Sequence, residues 1–445
     1  MYKFPDDLFT EVRIERTENN YYFIKNGEVE GNGRSAVTGA RIRVYDGNMW
    51  YMSVTNDLDA VQAEIDNLAT LAVPNKEIYD DPVIKNFGDA RADRIKYNGE
   101  NDIRRVTNEQ RDTLIEGYIA ACVDHSIEEM KTYYASYSSD HKSKEYYSSK
   151  GAAIRQDMQR CRMSINFDFV VDGVTTNGGK FYQELDFDAL KNREQEIIAE
   201  RDRALDYARN AVDVTAGDYT CVLAPFVTAM FTHESFGHKS ESDFMLNDKT
   251  LQEEWVLGKM VGNEKVSICD SGDMENNGYT PFDDEGNPAK ETWLIKNGVL
   301  TGRLHDAKSA SILGEEITGN ARAEGYHYSP MVRMTNTYME KGTDLPEDII
   351  GGVEDGIYVY GVNYGTGSAT FTMQPNRCYR IRGGKLCEPV RVNVITGSVF
   401  KTLFDIDAVG NDFVLCNTYT CGKGGQSVPV SAGGPTVRVK KLTVN

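Results

Sequence analysis

Asp218-Tyr219-Thr220-Cys221-Val222-Leu223-Ala224-Pro225-Phe226-Val227-Thr228-Ala229-Met230-Phe231-Thr232-His233-Glu234-Ser235-Phe236-Gly237-His238 is the stretch on which the reading of this chain turns. Its first seven residues read as a buried strand. Pro225 then suits the first turn of a helix, where a missing amide is no loss. The apolar run from Pro225 to Phe231 leads into two histidines that bracket a glutamate. Imidazole is the commonest zinc ligand, and a glutamate beside a zinc-bound water is the usual general base of a metallohydrolase. The spacing is unusual. In H-E-x-x-H the second histidine falls one turn later on the same helix face. Here it falls five residues later, about 140° around an ideal helix. Both rings reach one metal only if the helix is distorted or ends between them, and Gly237 permits either. The competing reading is a solvated His-Glu face; with six histidines in 445 residues, a chance pairing of this kind is uncommon.

Downstream, Lys239-Ser240-Glu241-Ser242-Asp243 is polar. Glu241 and Asp243 are either carboxylates that orient the histidines or solvated helix-end charges, and solvation is the expectation for Asp243. The eight cysteines are scattered with no C-x-x-C pair. In a chain of this size they read as mostly reduced, buried thiols rather than a disulfide framework. Cys421 stands apart. It sits in Cys421-Gly422-Lys423-Gly424-Gly425-Gln426-Ser427, too glycine-rich for a core strand and therefore expected as a loop. A thiolate there can approach a metal with little hindrance; the alternative is a buried cysteine in a tight turn.

Composition narrows the function classes. The length predicts two domains or subdomains, and 40% apolar residues suffice for a real core. The net charge of −19 and pI near 4.9 argue against direct nucleic-acid binding, which needs a basic patch. No apolar run has the length of a membrane span. Met1 to Asp7 lacks a basic segment followed by an apolar one, so no signal peptide is expected. A cytoplasmic protein follows from these readings.

Hydrophobic patterning sketches the elements. Strands are predicted at Glu11 to Arg16, Tyr21 to Ile24, Ala40 to Tyr45 and Trp50 to Val54, with a hairpin turn at Lys25-Asn26-Gly27. Asn56-Asp57 caps a predicted helix, Leu58 to Leu71. A longer helix is predicted from Asn108 to Tyr134, followed by an exposed loop or helix end over Ser136 to Lys150. Met163 to Val171 reads as a strand, Gly178-Gly179 as a turn, and Asp188 to Ala211 as a charged helix with a solvated face. Beyond the His-Glu segment the chain becomes β-rich, with a strand at Lys265 to Cys269. Hairpins follow at Trp293 to Leu300 and Tyr379 to Leu386. Ile-Lys-Asn-Gly occurs at both 24–27 and 295–298, which is weak evidence for duplication. Gly361 to Gly367 is no dinucleotide fingerprint, and Gly422-Lys423-Gly424 is no phosphate-binding loop.

Several further motifs follow in order. They are His233-Glu234-x-x-Gly237-His238-x-x-Glu241-x-Asp243-Phe244, Asp283-Asp284-Glu285-Gly286, Leu294-Ile295-x-Asn297-Gly298-x-Leu300 and Thr318-Gly319-Asn320-x-Arg322. Pro330-Met331-x-Arg333-Met334-Thr335-Asn336-Thr337-Tyr338, Val409-Gly410-Asn411-Asp412 and Cys421-Gly422-Lys423-x-Gly425-Gln426-Ser427-Val428-Pro429-Val430 complete the series. Over most of its length the chain resembles the TldD/PmbA family, once called modulators of DNA gyrase, in its TldD-type catalytic branch. There are departures. The family glycine after Glu241 is Ser242. Thr318 to Gly325 differs at two positions where the family has Gly and Arg. Asn363 to Ser368 replaces a Gly-x-Val-Asp stretch. The helix that usually precedes the family's first strand is absent or very short.

The resemblance implies an α+β fold: an N-terminal antiparallel sheet with helices over residues 1–215, then a β-rich C-terminal half over 216–445 that carries the metal site. It implies a zinc-dependent peptidase acting on short or unfolded peptides. His233, His238 and Cys421 are the implied ligands, and Glu234 the implied general base on a zinc-bound water. A His₂Cys set leaves the open fourth position that a catalytic zinc needs. The implied assembly is a homodimer or a heterodimer with a homologous subunit, enclosing a chamber. Two alternatives stand beside it: a noncatalytic peptide-binding or assembly subunit, and a zinc amidase on a non-peptide substrate.

Overall fold

Two glycine-bearing turns show how local chemistry sets the frame. Asn26 and Gly27 both have positive φ, at 49° and 86°, the conformation that suits a two-residue hairpin between twisted strands. They join Phe9–Lys25 to Glu28–Tyr45, two continuous antiparallel strands where the sequence suggested shorter ones. Asn297 and Gly298, at 49° and 76°, do the same between Glu291–Lys296 and Val299–Leu300. The computed structural model describes residues 2–367 and 370–445, apart from the side chain of Thr418; Met1 and Ser368, both named above, lie outside the described residues.

The fold is α+β. A seven-stranded sheet fills the N-terminal half, in the order Trp50–Thr55, Glu28–Tyr45, Phe9–Lys25, Met130–Ser148, Ala153–Val171, Arg91–Arg94, with Val174–Glu184 also paired to Ala153–Val171. All pairings are antiparallel except that of Arg91–Arg94. The helix Val61–Leu71 buries Val61, Ile65 and Leu68 against Val12, Ile14, Ile42 and Val44. The helix Asn108–Cys122, started by a Thr107/Gln110 capping box, buries Ile115, Tyr118 and Cys122 against Ile165, Phe167 and Phe169.

Four expectations need correction here. The helix predicted over Asn108 to Tyr134 ends at Cys122, and Met130–Ser148 is a central strand rather than helix and loop. Its Ser/Tyr/Lys composition looks solvated, but alternate side chains are buried by partners elsewhere in the chain, from both halves of the molecule. Lys144 Nζ lies 2.8 Å from Asp284 Oδ1, and the Tyr146 hydroxyl donates to Glu11 Oε2 at 2.9 Å. The Gly178-Gly179 turn is also absent: both lie within Val174–Glu184, and the turn is Asp172-Gly173, with φ of 50° and 80°. A Cβ on Gly178 would stand 2.3 Å from the Ala204 Cβ, so the glycine admits the helix Glu194–Asn210. That helix is shorter than predicted and not merely solvated. It buries Ile197, Ala204, Leu205 and Ala208, and Glu200 is buried with Arg203 and Arg377 as ion partners. Finally, Cys421 lies not in a loop but in the strand Val414–Lys423, with the turn displaced to Gly424 and Gly425.

The C-terminal half has an eight-stranded mixed sheet and a six-stranded sheet. The strand Gly217–Leu223 sits between Asp355–Gly367, parallel to it, and Val437–Val444, antiparallel. The chain then turns into the helix Pro225–Thr232, which packs between the sheets against Asp355–Gly367, Asn336–Met339 and Gln426–Gly434. Leu223, Val227, Phe231, Phe236, Met334 and Val430 belong to one continuous buried core. All eight cysteines are free thiols. Among the described residues no helix is long and apolar enough to cross a membrane.

Candidate metal centre

The helix distortion demanded by the histidine spacing is present. After Thr232 the chain makes one π turn over His233–Gly237, and the His238 amide donates to the His233 carbonyl five residues back. A π turn holds more residues than an α turn, so residues five apart come to lie over one another. A tighter 3₁₀ turn, His238–Ser240, follows. Gly237 has ordinary helical φ of −55°, so its role is packing rather than conformational freedom. A Cβ there would stand 1.9 Å from Met334 Sδ.

The imidazoles of His233 and His238 meet edge to face with centroids 5.1 Å apart. The strand Val414–Lys423 brings the third group. One ligand atom from each of His233, His238 and Cys421 lies within 4.8 Å of the others. Cys421 Sγ is 3.5 Å from His238 Nε2. Burial alone would raise the Cys421 pKa, but hydrogen bonding by the two rings brings it down to about 5. The sulfur is therefore held as a thiolate, the form that binds metals. For His238, burial works against the charge, while hydrogen bonds to Cys421 and Glu241 carry its pKa up to about 10. Burial raises the Glu234 carboxyl, with the two histidines opposing.

Around this cluster the polar groups are tied down. Glu241 is completely buried. Its Oε2 lies 3.0 Å from His238 Nδ1, and its Oε1 accepts the Met334 amide at 3.3 Å. The Nδ1 proton is shared with Glu241, and the Nε2 proton, which faces the thiolate, is the one a bound metal would displace. Burial opposes charge on Glu241, yet the hydrogen bond to His238 and the Lys423 ammonium hold it below the usual carboxylate range. Asp243 corrects the expectation of a solvated charge: both its oxygens accept from Lys423 Nζ, at 2.7 and 2.8 Å. Ser242, where the family has glycine, donates its hydroxyl to the Leu304 carbonyl at 2.6 Å and lies 3.0 Å from His305 Nδ1. Arg333, fully buried, donates to the Cys421 carbonyl. Tyr419 stacks on His233 with centroids 6.2 Å apart. The sequence reading missed Lys423, Arg333 and Tyr419 as site residues. The period of two along a strand would have placed Lys423 and Tyr419 on the face of Cys421.

The donor set fits zinc. Two nitrogens and a thiolate form a borderline-soft trio that leaves one position open. His233 Nδ1 is buried and finds no hydrogen-bond partner among the described residues. A cleft of about 680 Å³ adjoins the cluster, walled in part by His238, Lys239, Phe244, Leu251 and Lys423.

Residues 216–445, more than half the chain, match the family description "PmbA/TldA metallopeptidase C-terminal domain", and residues 10–73 match domain 1 of the same family. The chain belongs to the TldD/PmbA family of metallopeptidases. Among its TldD/PmbA relatives, a metalloprotease of Synechocystis sp. is 30% identical over 98% of this chain and 94% of the relative. A zinc metalloprotease TldD homolog of Saccharolobus solfataricus is 30% identical over 84% of this chain and 86% of its own. Solved structures share the fold. The Thermotoga maritima protein named as a modulator of a DNA gyrase superposes with a TM-score of 0.79 at 18% identity, covering 98% of this chain and 96% of that one. TldE from Thermococcus kodakarensis gives 0.74 at 16% identity, covering 98% and 96%.

Proposed function

We propose that this TldD/PmbA member is a TldD-type, zinc-dependent peptidase that hydrolyses short or unfolded peptides. One observation carries the reading: two imidazoles and a thiolate converge within 4.8 Å beside a glutamate of raised pKa. His233, His238 and Cys421 would hold the ion. Bound zinc supplies Lewis acidity toward the scissile carbonyl and acidifies water. Glu234 takes the proton from the attacking water and gives it to the leaving amine, and a carboxyl pKa raised by burial favours both transfers. Glu241 keeps the His238 ring in the tautomer that presents Nε2. The zinc in the name of the Saccharolobus relative supports the choice of metal.

Sheet position supports a mode of substrate binding. Val414–Lys423 is the edge strand of its sheet and carries Cys421. An extended peptide pairing with such an edge gains affinity through backbone hydrogen bonds, with little demand on side chains. We place the protein in the cytoplasm, as a homodimer or a heterodimer with a homologous subunit, without direct nucleic-acid or membrane partners.

Metal analysis joined to a peptide-cleavage assay tests the reading. The expected result is zinc near one ion per chain and cleavage of unstructured peptides that a chelator abolishes. A protein that takes up no transition metal after reconstitution would instead be a noncatalytic peptide-binding or assembly subunit. Metal binding without peptide cleavage would point to an amidase with a non-peptide substrate.

A further inference from the structure

Lys423 lies two residues beyond Cys421 on the edge strand, so strand periodicity puts both side chains on one face. Its side chain is only 8% exposed. Besides the two Asp243 oxygens, its Nζ donates to the Val332 carbonyl at 2.8 Å and stands 3.2 Å from Glu241 Oε2. That same glutamate oxygen is the one 3.0 Å from His238 Nδ1. The Phe244 ring covers the ammonium, with its centroid 4.1 Å away. One cation thus joins the strand bearing the sulfur to the segment bearing an imidazole.

We propose that Lys423 is a positioning residue of the metal centre, docking the Cys421 strand onto the His238–Asp243 segment and thereby setting metal affinity. The inference rests on the metal reading above and deepens it. A buried carboxylate that loses its counter-cation is strongly destabilised. Without the ammonium, Glu241 and Asp243 lose the cation they share, and the Cys421 strand loses its tie to the segment that holds the His238 ring. Arg333 does not replace this link. Its guanidinium donates to the carbonyls of Cys421 and Gln426, both on the same β-hairpin.

The test is cobalt(II) titration of the metal-stripped full-length protein, following thiolate-to-cobalt charge-transfer absorption, with zinc competition for affinity. Lys423→Met should weaken cobalt binding by at least about tenfold, the scale for groups that orient metal ligands, and diminish the charge-transfer band. Asp243→Asn should weaken binding less. The double variant Lys423→Met/Asp243→Asn should recover part of the loss, since one uncompensated carboxylate is gone. A general loss of packing would give no such recovery. Exposed Lys249→Met should titrate like the unaltered protein. Unchanged affinity and band in Lys423→Met would overturn the proposal. If circular dichroism shows that this variant does not fold, unchanged affinity in Asp243→Asn overturns it. Absence of a charge-transfer band in the unaltered protein at any cobalt concentration would remove the metal reading itself, and this proposal with it.

Discussion

Each side chain at the centre has a distinct chemical duty. On the proposed mechanism Glu234 is the general base, so Glu234→Gln should retain metal and lose at least about a hundredfold in peptide cleavage. Full cleavage by that variant would refute its role. Cys421 is the one thiol whose pKa is pulled down, to about 5, by neighbouring imidazoles; burial instead raises those of Cys122, to about 11, and Cys161. Thiolate is a far better zinc ligand than a neutral hydroxyl. Cys421→Ser should therefore cut metal content sharply, while serine at Cys122, Cys161 or Cys387 should not. Equal metal content across the four variants would exclude Cys421. His233, Glu234 and His238 were legible as a local constellation, because they are close in sequence. Arg333 was not legible as a site residue, and Lys423 only once Cys421 is known to lie on a strand. Their duty lies in partners far along the chain, and nothing local distinguishes a buried lysine from a solvated one.

At the scale of elements, the π turn is what lets a five-residue histidine spacing serve one centre. Gly237 makes it possible by leaving room for Met334. Gly237→Ala should displace the turn, destabilise the protein by about 1–3 kcal/mol as overpacked cores do, and weaken metal binding. Met334→Ala in that background should restore part of both, measured by thermal melts and cobalt titration. An alanine variant with unaltered metal affinity would show that the turn tolerates the extra methyl. Hairpins were the most legible elements, since positive φ at Asn-Gly pairs is a local requirement. The strand Met130–Ser148 was the least. Strand and loop readings depend on what covers the side chains: here the helix Asn108–Cys122 covers Ala135 and Tyr137, and Asp284 meets Lys144 from the other half of the molecule.

At the scale of the whole molecule, the proposed function calls for a site closed to folded chains. We expect a dimer, with itself or a homologue, that helps enclose the site. Light scattering should give at least twice the chain mass when the functional assembly is reconstituted. Casein-like and short peptides should be cleaved while stably folded proteins are spared. A monomer at all working concentrations, or equal cleavage of folded and unfolded proteins, would defeat the chamber. The zinc proposal would stand, since it depends on His233, His238 and Cys421.

The family resemblance implied the α+β class and the full ligand set; by itself, the sequence determined the main hairpins, the helix leading into His233 and the His233-Glu234-His238 constellation. Those features rest on local periodicity, turn conformation and side-chain chemistry. Only the tertiary structure decided that Cys421 arrives on an edge strand, that the helix becomes a π turn at His233, and that buried charges stitch the site together. Strand pairing and ion pairing join residues far apart in the chain. Their free energies depend on desolvation and on the partner found, and neither is written in the local pattern.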